Sequence, residues 1–295
     1  MNAVAAQRSS TTKDRHRRRR VNPQKVLLTV LVALVSVMFV VPAVWILIDS
    51  FRPNLEVQSS MLDVSWALFV PTDVTIQNYV VMLTERSFGR ALANSAIVCG
   101  ASVVVGLIIS SMAAYPLAVY RFRGRNQIFA VVVVSFMVPF EAIAIPLSQQ
   151  FHDWGIANSL VGLILPGLGN GLAIFNLRQA FMGIPRAYRE AAMMDGASEP
   201  RILASLYVRM SGPALANSGL LIFLSQWTAY LWPLLIITDS DNQMAPIALA
   251  QTFGEHGANY SENFAGSVIL SLLPAVGILL LQRVLGGLSI GSGEK

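Results

Sequence analysis

The sequence predicts an all-α membrane protein with six transmembrane helices. Hydrophobic residues make up 54% of the chain and charged residues only 13%, a balance foreign to soluble globular domains. Several stretches approach or exceed the ~20 apolar residues with which a helix crosses about 30 Å of hydrocarbon. All but three of the 21 Lys and Arg residues fall in segments that six spans leave on one side, the side that positive charge marks as cytoplasmic.

Residues 1–25 form a basic tail with Lys13, Lys25 and the run Arg17 to Arg20. Directly ahead of an apolar span, such a tail is read as an anchor at anionic headgroups rather than as a nucleic-acid contact. The first span is Val26–Ile48. Its apolar run is longer than a signal-peptide core and no small-residue cleavage site follows, so it is expected to remain as a signal anchor. An outer loop, 49–90, carries the apolar patch Trp66–Val70 and is expected to hold a short surface helix or two. Its Arg52, Arg86 and Arg90 are outnumbered by Glu56, Asp63, Asp73 and Glu85.

The second span, Ala91–Tyr120, runs into a turn holding Arg121, Arg123 and Arg125, and the third is Gln127–Ser148. Leu160–Phe175 is the weakest, being shorter and carrying Pro166, Gly167, Gly169, Asn170 and Gly171. Hydropathy alone leaves it as a re-entrant or buried segment, but counting it as a span keeps the charge pattern consistent. The fifth and sixth spans are Pro213–Ile237 and Phe264–Gln282, and residues 286–295 form a C-terminal tail. The membrane-spanning body is thus expected over 26–285, with both termini in the cytoplasm. Prolines recur inside the spans, where neighbouring helices can satisfy the carbonyls they free.

Several chemistries are excluded. The single cysteine, Cys99, lies in the second span and leaves no partner for an intramolecular disulfide. The three histidines, His16, His152 and His256, are too dispersed for a metal cluster. No GxxxxGK[ST] phosphate loop occurs, so any ATP hydrolysis is expected from another chain.

The segment 183–215 reads as two helices around a sharp turn. Pro185 suits a first helical turn, Arg186 to Met194 has no breaker, and Asp195-Gly196 ends the helix through a left-handed glycine. A second helix is expected from Ser198 as N-cap, with Pro200 in its first turn, toward Met210. Glu190-Ala191-Ala192 and Asp195-Gly196-Ala197, flanked by Ile184-Pro185 and Gly212-Pro213-Ala214-Leu215, resemble the EAA loop of ABC importer permeases. Further matches narrow the resemblance to the sugar-type, MalG-like branch: Ser50-Phe51-Arg52-Pro53, Asn94-Ser95, Ala114-Tyr115, Phe122-Arg123-Gly124-Arg125, Met137-Val138-Pro139, Ile145-Pro146-Leu147 and Leu231-Trp232-Pro233-Leu234.

That resemblance implies the type I ABC importer permease (MetI-like) fold and a prokaryotic cell-membrane location. Its function would be to carry a carbohydrate or related solute across that membrane. The partners it implies are a second permease subunit, two ATP-binding cassette ATPase subunits and an extracytoplasmic solute-binding protein. This chain would bind no cofactor, with ATP and Mg on the ATPase. Arg189, Glu190, Ala191, Ala192, Asp195, Gly196 and Ala197 would form the coupling helix and turn within the cytoplasmic loop 179–212. The family usually has Leu-Pro shortly before the proline that stands here at position 213. This chain has Val208-Arg209 instead, so the helix entering the fifth span is expected to be straighter.

For the solute path, Glu141 is the acidic residue lying well inside a span, and intramembrane charge is costly enough to mark function. Its other reading is a site near the outer interface, or a cap. Gln226, Trp227 and Tyr230 in the fifth span offer hydrogen bonds and flat ring faces of the kind sugars need. Polar helix contacts fit Gln226 equally, and an interfacial girdle fits Trp232. A secondary carrier or channel working without an ATPase is the alternative, although inverted repeats and mid-membrane charges would then be expected. A membrane-embedded enzyme would need clustered reactive groups, and none cluster in the sequence.

Overall fold

The computed structural model describes residues 23–62, 70–255 and 259–289. The basic tail before residue 23, most of the patch Trp66–Val70, His256 and residues 290–295 lie outside them. The described residues are helical, with no strand among them. They form two units, residues 1–45 and residues 46–295. Helix α1 (Pro23–Asp49) supplies the described part of the first unit and then enters the second. It is strongly apolar on all sides, with a mean hydropathy of 2.8, as expected of a helix whose solvent is lipid.

The second unit begins with the end of α1 and two short helices, α2 (Asn54–Leu62) and α3 (Gln77–Thr84), then the long α4 (Phe88–Val119). The expected third span is not continuous: α5 (Arg125–Met137) and α6 (Phe140–Asp153) meet at 89°. Pro139 is the cause. It brings no N–H to the helical ladder and drives Val138 into an extended conformation, φ −70° and ψ 122°.

The weak fourth segment is also bent. A short helix, α7 (Leu160–Ile164), continues as a 3₁₀ turn through Gly167 and meets α8 (Gly171–Met182) at 47°. Asn170 restarts the chain as N-cap, its side chain accepting from the Ala173 N–H at 2.9 Å. After α9 (Arg186–Met194) and the short α10 (Glu199–Ile202) and α11 (Val208–Met210), α12 (Gly212–Trp227) and α13 (Leu231–Ile236) split the expected fifth span at Thr228–Tyr230. The sequence closes with α14 (Ala245–Glu255) and α15 (Tyr260–Ser289), which starts before and ends beyond the expected sixth span. By length and composition α1, α4 and α15 can each cross a membrane, and each bent pair taken as one span raises the total to five. Among the described residues the count is thus three to five, against the six expected.

Helix α4 is the axis of the second unit and packs against α7, α8, α12 and α14. It meets α12 (Gly212–Trp227) closely because each helix offers a glycine to the other. A Cβ on Gly106 would sit 3.2 Å from Ile222, and one on Gly219 would sit 3.3 Å from Leu107. Asn176 of α8 joins them, donating to the Ala214 carbonyl at 3.1 Å and to Ser218 at 2.8 Å. Leu117, Leu177, Phe181, Ile202 and Tyr207 close the core at one end of this bundle.

The segment after α1 is held by Arg52, which is 1% exposed. Its guanidinium meets Asp49 at 2.9 Å and Glu56 at 2.7 Å, while Asn78 of α3 donates to the Ser50 and Arg52 carbonyls at 2.9 Å. Burial pushes the Glu56 carboxyl up, but hydrogen bonds from Thr72, Arg52 and the Asp73 N–H hold it below the usual carboxylate range. Arg86 pairs with Glu262 at 3.0 Å and Arg90 with Asp241 at 2.7 Å, so each of the three arginines expected on the outer side meets acid. Replacing Arg52 by Met breaks its ion pair with the buried Asp49 carboxylate and should cost about 3–5 kcal/mol. The half-exposed Arg90 pair should cost no more than about 1 kcal/mol when Arg90 is replaced by Met. Thermal unfolding of the two purified variants checks this, and equal midpoints would contradict it.

Candidate functional site

The loop expected to couple is built from α8 outward. Gly183 ends α8, and extended Pro185 leads into α9 (Arg186–Met194), with the bounds expected from sequence. At its end the Gly196 N–H bonds the Met193 carbonyl and the Ala197 N–H bonds the Ala192 carbonyl, both at 3.0 Å. This is a Schellman closure. Gly196 sits at φ +77°, and an added Cβ would meet nothing within 4 Å. Backbone conformation rather than space therefore requires glycine here.

Ser198 is extended and N-caps α10 (Glu199–Ile202), although without a side-chain cap bond. The second helix does not run straight to Met210, as the missing proline led us to expect. A π-helical turn, Leu203–Tyr207, follows α10, then α11 (Val208–Met210), and the chain breaks at Ser211, φ −106° and ψ 27°. Pro213 in the next turn has no N–H for the Arg209 carbonyl, so the ladder is released there even though the family's own proline is absent.

Helix α9 has two faces. Ala187, Tyr188, Glu190, Ala191, Met193 and Met194 are exposed, as are Asp195 and Gly196 at the turn. Arg189, Ala192 and Ala197 are half-buried and turn toward their own chain. Arg189 pairs with Glu199 across the turn, its guanidinium 5.4 Å over the Tyr120 ring. The other Glu199 oxygen accepts from the Tyr115 hydroxyl at 2.5 Å. Burial alone would push the Glu199 carboxyl up; hydrogen bonds from Tyr115, Arg189 and Tyr120 outweigh it and leave the group below its ordinary value.

A second feature is a cavity of about 540 Å³ where three helix breaks converge. The start of α6 contributes Phe140 and Glu141, the 3₁₀ turn contributes Pro166 and Gly167, and the gap between α12 and α13 (Leu231–Ile236) contributes Thr228 to Tyr230. Gln226 lies on its wall and donates to Ser102 of α4 at 2.8 Å. A Cβ on Gly167 would come within 2.8 Å of the Gln226 amide, so glycine permits this approach.

Of the four residues expected along a solute path, the structure brings Glu141, Gln226 and Tyr230 together on this cavity. Trp227 points elsewhere. It is 3% exposed and donates to the Leu270 carbonyl of α15 at 3.1 Å. Trp232, read from sequence as interfacial, lines the cavity instead, bonded to the Gly162 carbonyl at 3.1 Å. Sequence reasoning also missed Pro166 and Gly167, whose breaker chemistry was the available signal, and the pairing of Glu199 with Tyr115, for which local sequence holds none.

Bent helices around a cavity of aromatic and polar side chains, with a small-residue helical knob beyond them, fit a membrane-transport permease. The family model described as "Binding-protein-dependent transport system inner membrane component" matches residues 106–289. The arabinooligosaccharides transport system permease protein AraQ of Halalkalibacterium halodurans is 33% identical over 267 residues, 90% of this chain and 95% of its own. The diacetylchitobiose uptake system permease protein NgcG of Streptomyces coelicolor is 28% identical over 89% of this chain and 86% of its own. A crystal structure of a bacterial ABC transporter involved in the import of the acidic polysaccharide alginate shares the fold, with a TM-score of 0.76 at 22% identity over 90% of this chain and 96% of that one. The chain belongs to the family of binding-protein-dependent transport system inner membrane components. It is a multi-pass permease of an ATP-binding-cassette importer, a transport subunit rather than the catalyst.

The loop's ion pair has a pH signature. The contact lowers the Glu199 carboxyl below its ordinary value, so the tie is at full strength above that ordinary value and is lost as pH falls through the lowered one. Amide exchange over 186–197, corrected for intrinsic rate, should hold steady from neutral to mildly acid pH and rise only below the carboxylate range. Loss of protection already near the histidine range, about 6.5, would contradict the assignment.

Proposed function

We propose that this chain is one of two permease subunits in an importer for a carbohydrate or related solute. ATP and Mg are bound and hydrolysed on two separate cassette ATPases, and an extracytoplasmic binding protein delivers the solute. In this reading the chain crosses the membrane six times, through α1, α4, α5 with α6, α7 with α8, α12 with α13, and α15. Residues 26–285 form the permease domain between a basic cytoplasmic tail, 1–25, and a short cytoplasmic tail, 286–295. The distribution of Lys and Arg supports this orientation, since all but three of the 21 fall in segments it leaves in the cytoplasm.

The observation that carries the proposal is the exposed face of α9. Ala187, Glu190, Ala191 and Met194 form a row of small residues, one charge and a flexible apolar tip, held out by a rigid turn. Such a knob fits a groove on a partner: alanines permit close approach and Glu190 can pair with a basic group there. Asp195 and Gly196 fix the angle at which the knob is presented.

The cavity supports the substrate class. Gln226, Tyr230 and Glu141 offer donors and acceptors, while Trp232 and Phe140 offer ring faces, the combination that sugar hydroxyls and sugar faces require. Its volume suits a small-molecule site, and the arabinooligosaccharide and diacetylchitobiose in the names of relatives are consistent with it.

The test is uptake of a labelled arabinooligosaccharide into proteoliposomes holding the copurified complex, with and without ATP. Gly196→Val should insert and assemble but lose uptake, because a β-branched residue at positive φ costs at least about 1–2 kcal/mol. Gly196→Asn should retain it. Normal ATP-driven uptake in the valine variant would count against the loop as the coupling element.

A further inference from the structure

We propose that Glu199 is a positioning residue that joins the coupling loop to α4, and that α4 carries the loop's movement to the cavity. The inference rests on the reading of α9 as the ATPase contact and adds the route by which its displacement reaches the solute path. Helix α9 makes no extensive helix-to-helix contact of its own. Covalently it continues into α8 through Gly183–Pro185, and into α12 only through the turn at Gly196, the π-helical turn and the break at Ser211. The second route is a series of joints that can absorb a push.

Glu199 bypasses those joints. One carboxylate oxygen receives Arg189 from α9 and the other receives the Tyr115 hydroxyl from α4. Both hydrogen bonds are charge-assisted, the stronger class. Tyr115 is 4% exposed and stacks edge-on against Tyr207 at 4.9 Å, so its hydroxyl has little freedom to follow the carboxylate unless α4 follows too.

From Tyr115 the helix runs unbroken toward the cavity and beyond. Ser102 lies roughly 20 Å along the axis at 1.5 Å per residue, and there it holds Gln226 on the cavity wall. Further on, Ser95 accepts from the Ala245 N–H at 2.8 Å, and Asn94 donates to the Asp241 and Gln243 carbonyls at 2.8 and 3.0 Å. One rigid element thus touches the loop, the cavity and the segment after α13. The bent spans beside it supply the places that can yield.

The test uses the assembled complex with Cys99→Ala, and nitroxides at Met112→Cys on α4 and Leu279→Cys on α15, both exposed positions. Trapping ATP with vanadate should shift the distance between the labels. In Glu199→Gln, and in Tyr115→Phe, which removes only a hydroxyl, that shift should fall by more than about half while ATP hydrolysis stays within about twofold of wild type. The double variant should be no worse than either single one.

An unchanged shift in both variants would overturn the proposal. So would loss of hydrolysis in step with the shift, which would make Glu199 part of docking rather than of relay. An assembled, ATP-hydrolysing wild type without any shift would also overturn it. A wild-type chain that associates with no ATPase would instead overturn the reading of α9 itself.

Discussion

Hydrocarbon offers no hydrogen bonds, so a helix can break inside it only where protein or trapped water replaces the lost ladder. This chain breaks three of its apolar segments, at Val138–Pro139, at Leu168–Asn170 and at Thr228–Tyr230, and the breaks gather around one cavity. The irregular backbone therefore has company: Asn170 caps its own restart and Trp232 bonds the Gly162 carbonyl. Helix α4 is what allows this. Long and unbroken, it gives α7, α8, α12 and α14 a common surface.

The division between rigid and broken elements also divides the labour. Rigid pieces fix positions: the Schellman turn at Gly196 sets the loop angle, and the Arg52 cluster anchors the segment after α1. Broken pieces can bend between two packings at small cost, which transport needs. The polar groups follow the same logic. On α4 the buried Asn94, Ser95 and Ser102 are tied to named partners, whereas Glu141, Thr228 and Tyr230 are exposed at the breaks.

The sequence made the long apolar segments legible because lipid demands an uninterrupted run. It made α9 legible because Pro185 and Gly196 are strong local punctuation. The breaks were harder. Pro116 and Pro274 sit inside continuous helices while Pro139 falls between two, so a proline in an apolar run does not by itself mark a break. The exchange of Trp227 for Trp232 has a related cause. Side-chain chemistry alone does not say which face a residue takes, and non-helical Ala229 and Tyr230 separate the helix of Trp227 from that of Trp232. Nothing in the local sequence singles out Glu199, since its partner Tyr115 is 84 residues away.

The central claim is that the cavity at the helix breaks is a solute path whose opening alternates under ATP. Cys99 is fully buried, so a cysteine introduced by Tyr230→Cys can be labelled selectively in the reconstituted complex. Impermeant maleimide applied from each side should find it accessible from one side without nucleotide and from the opposite side with ATP trapped on the ATPases. Accessibility from the same side in both states would contradict the account.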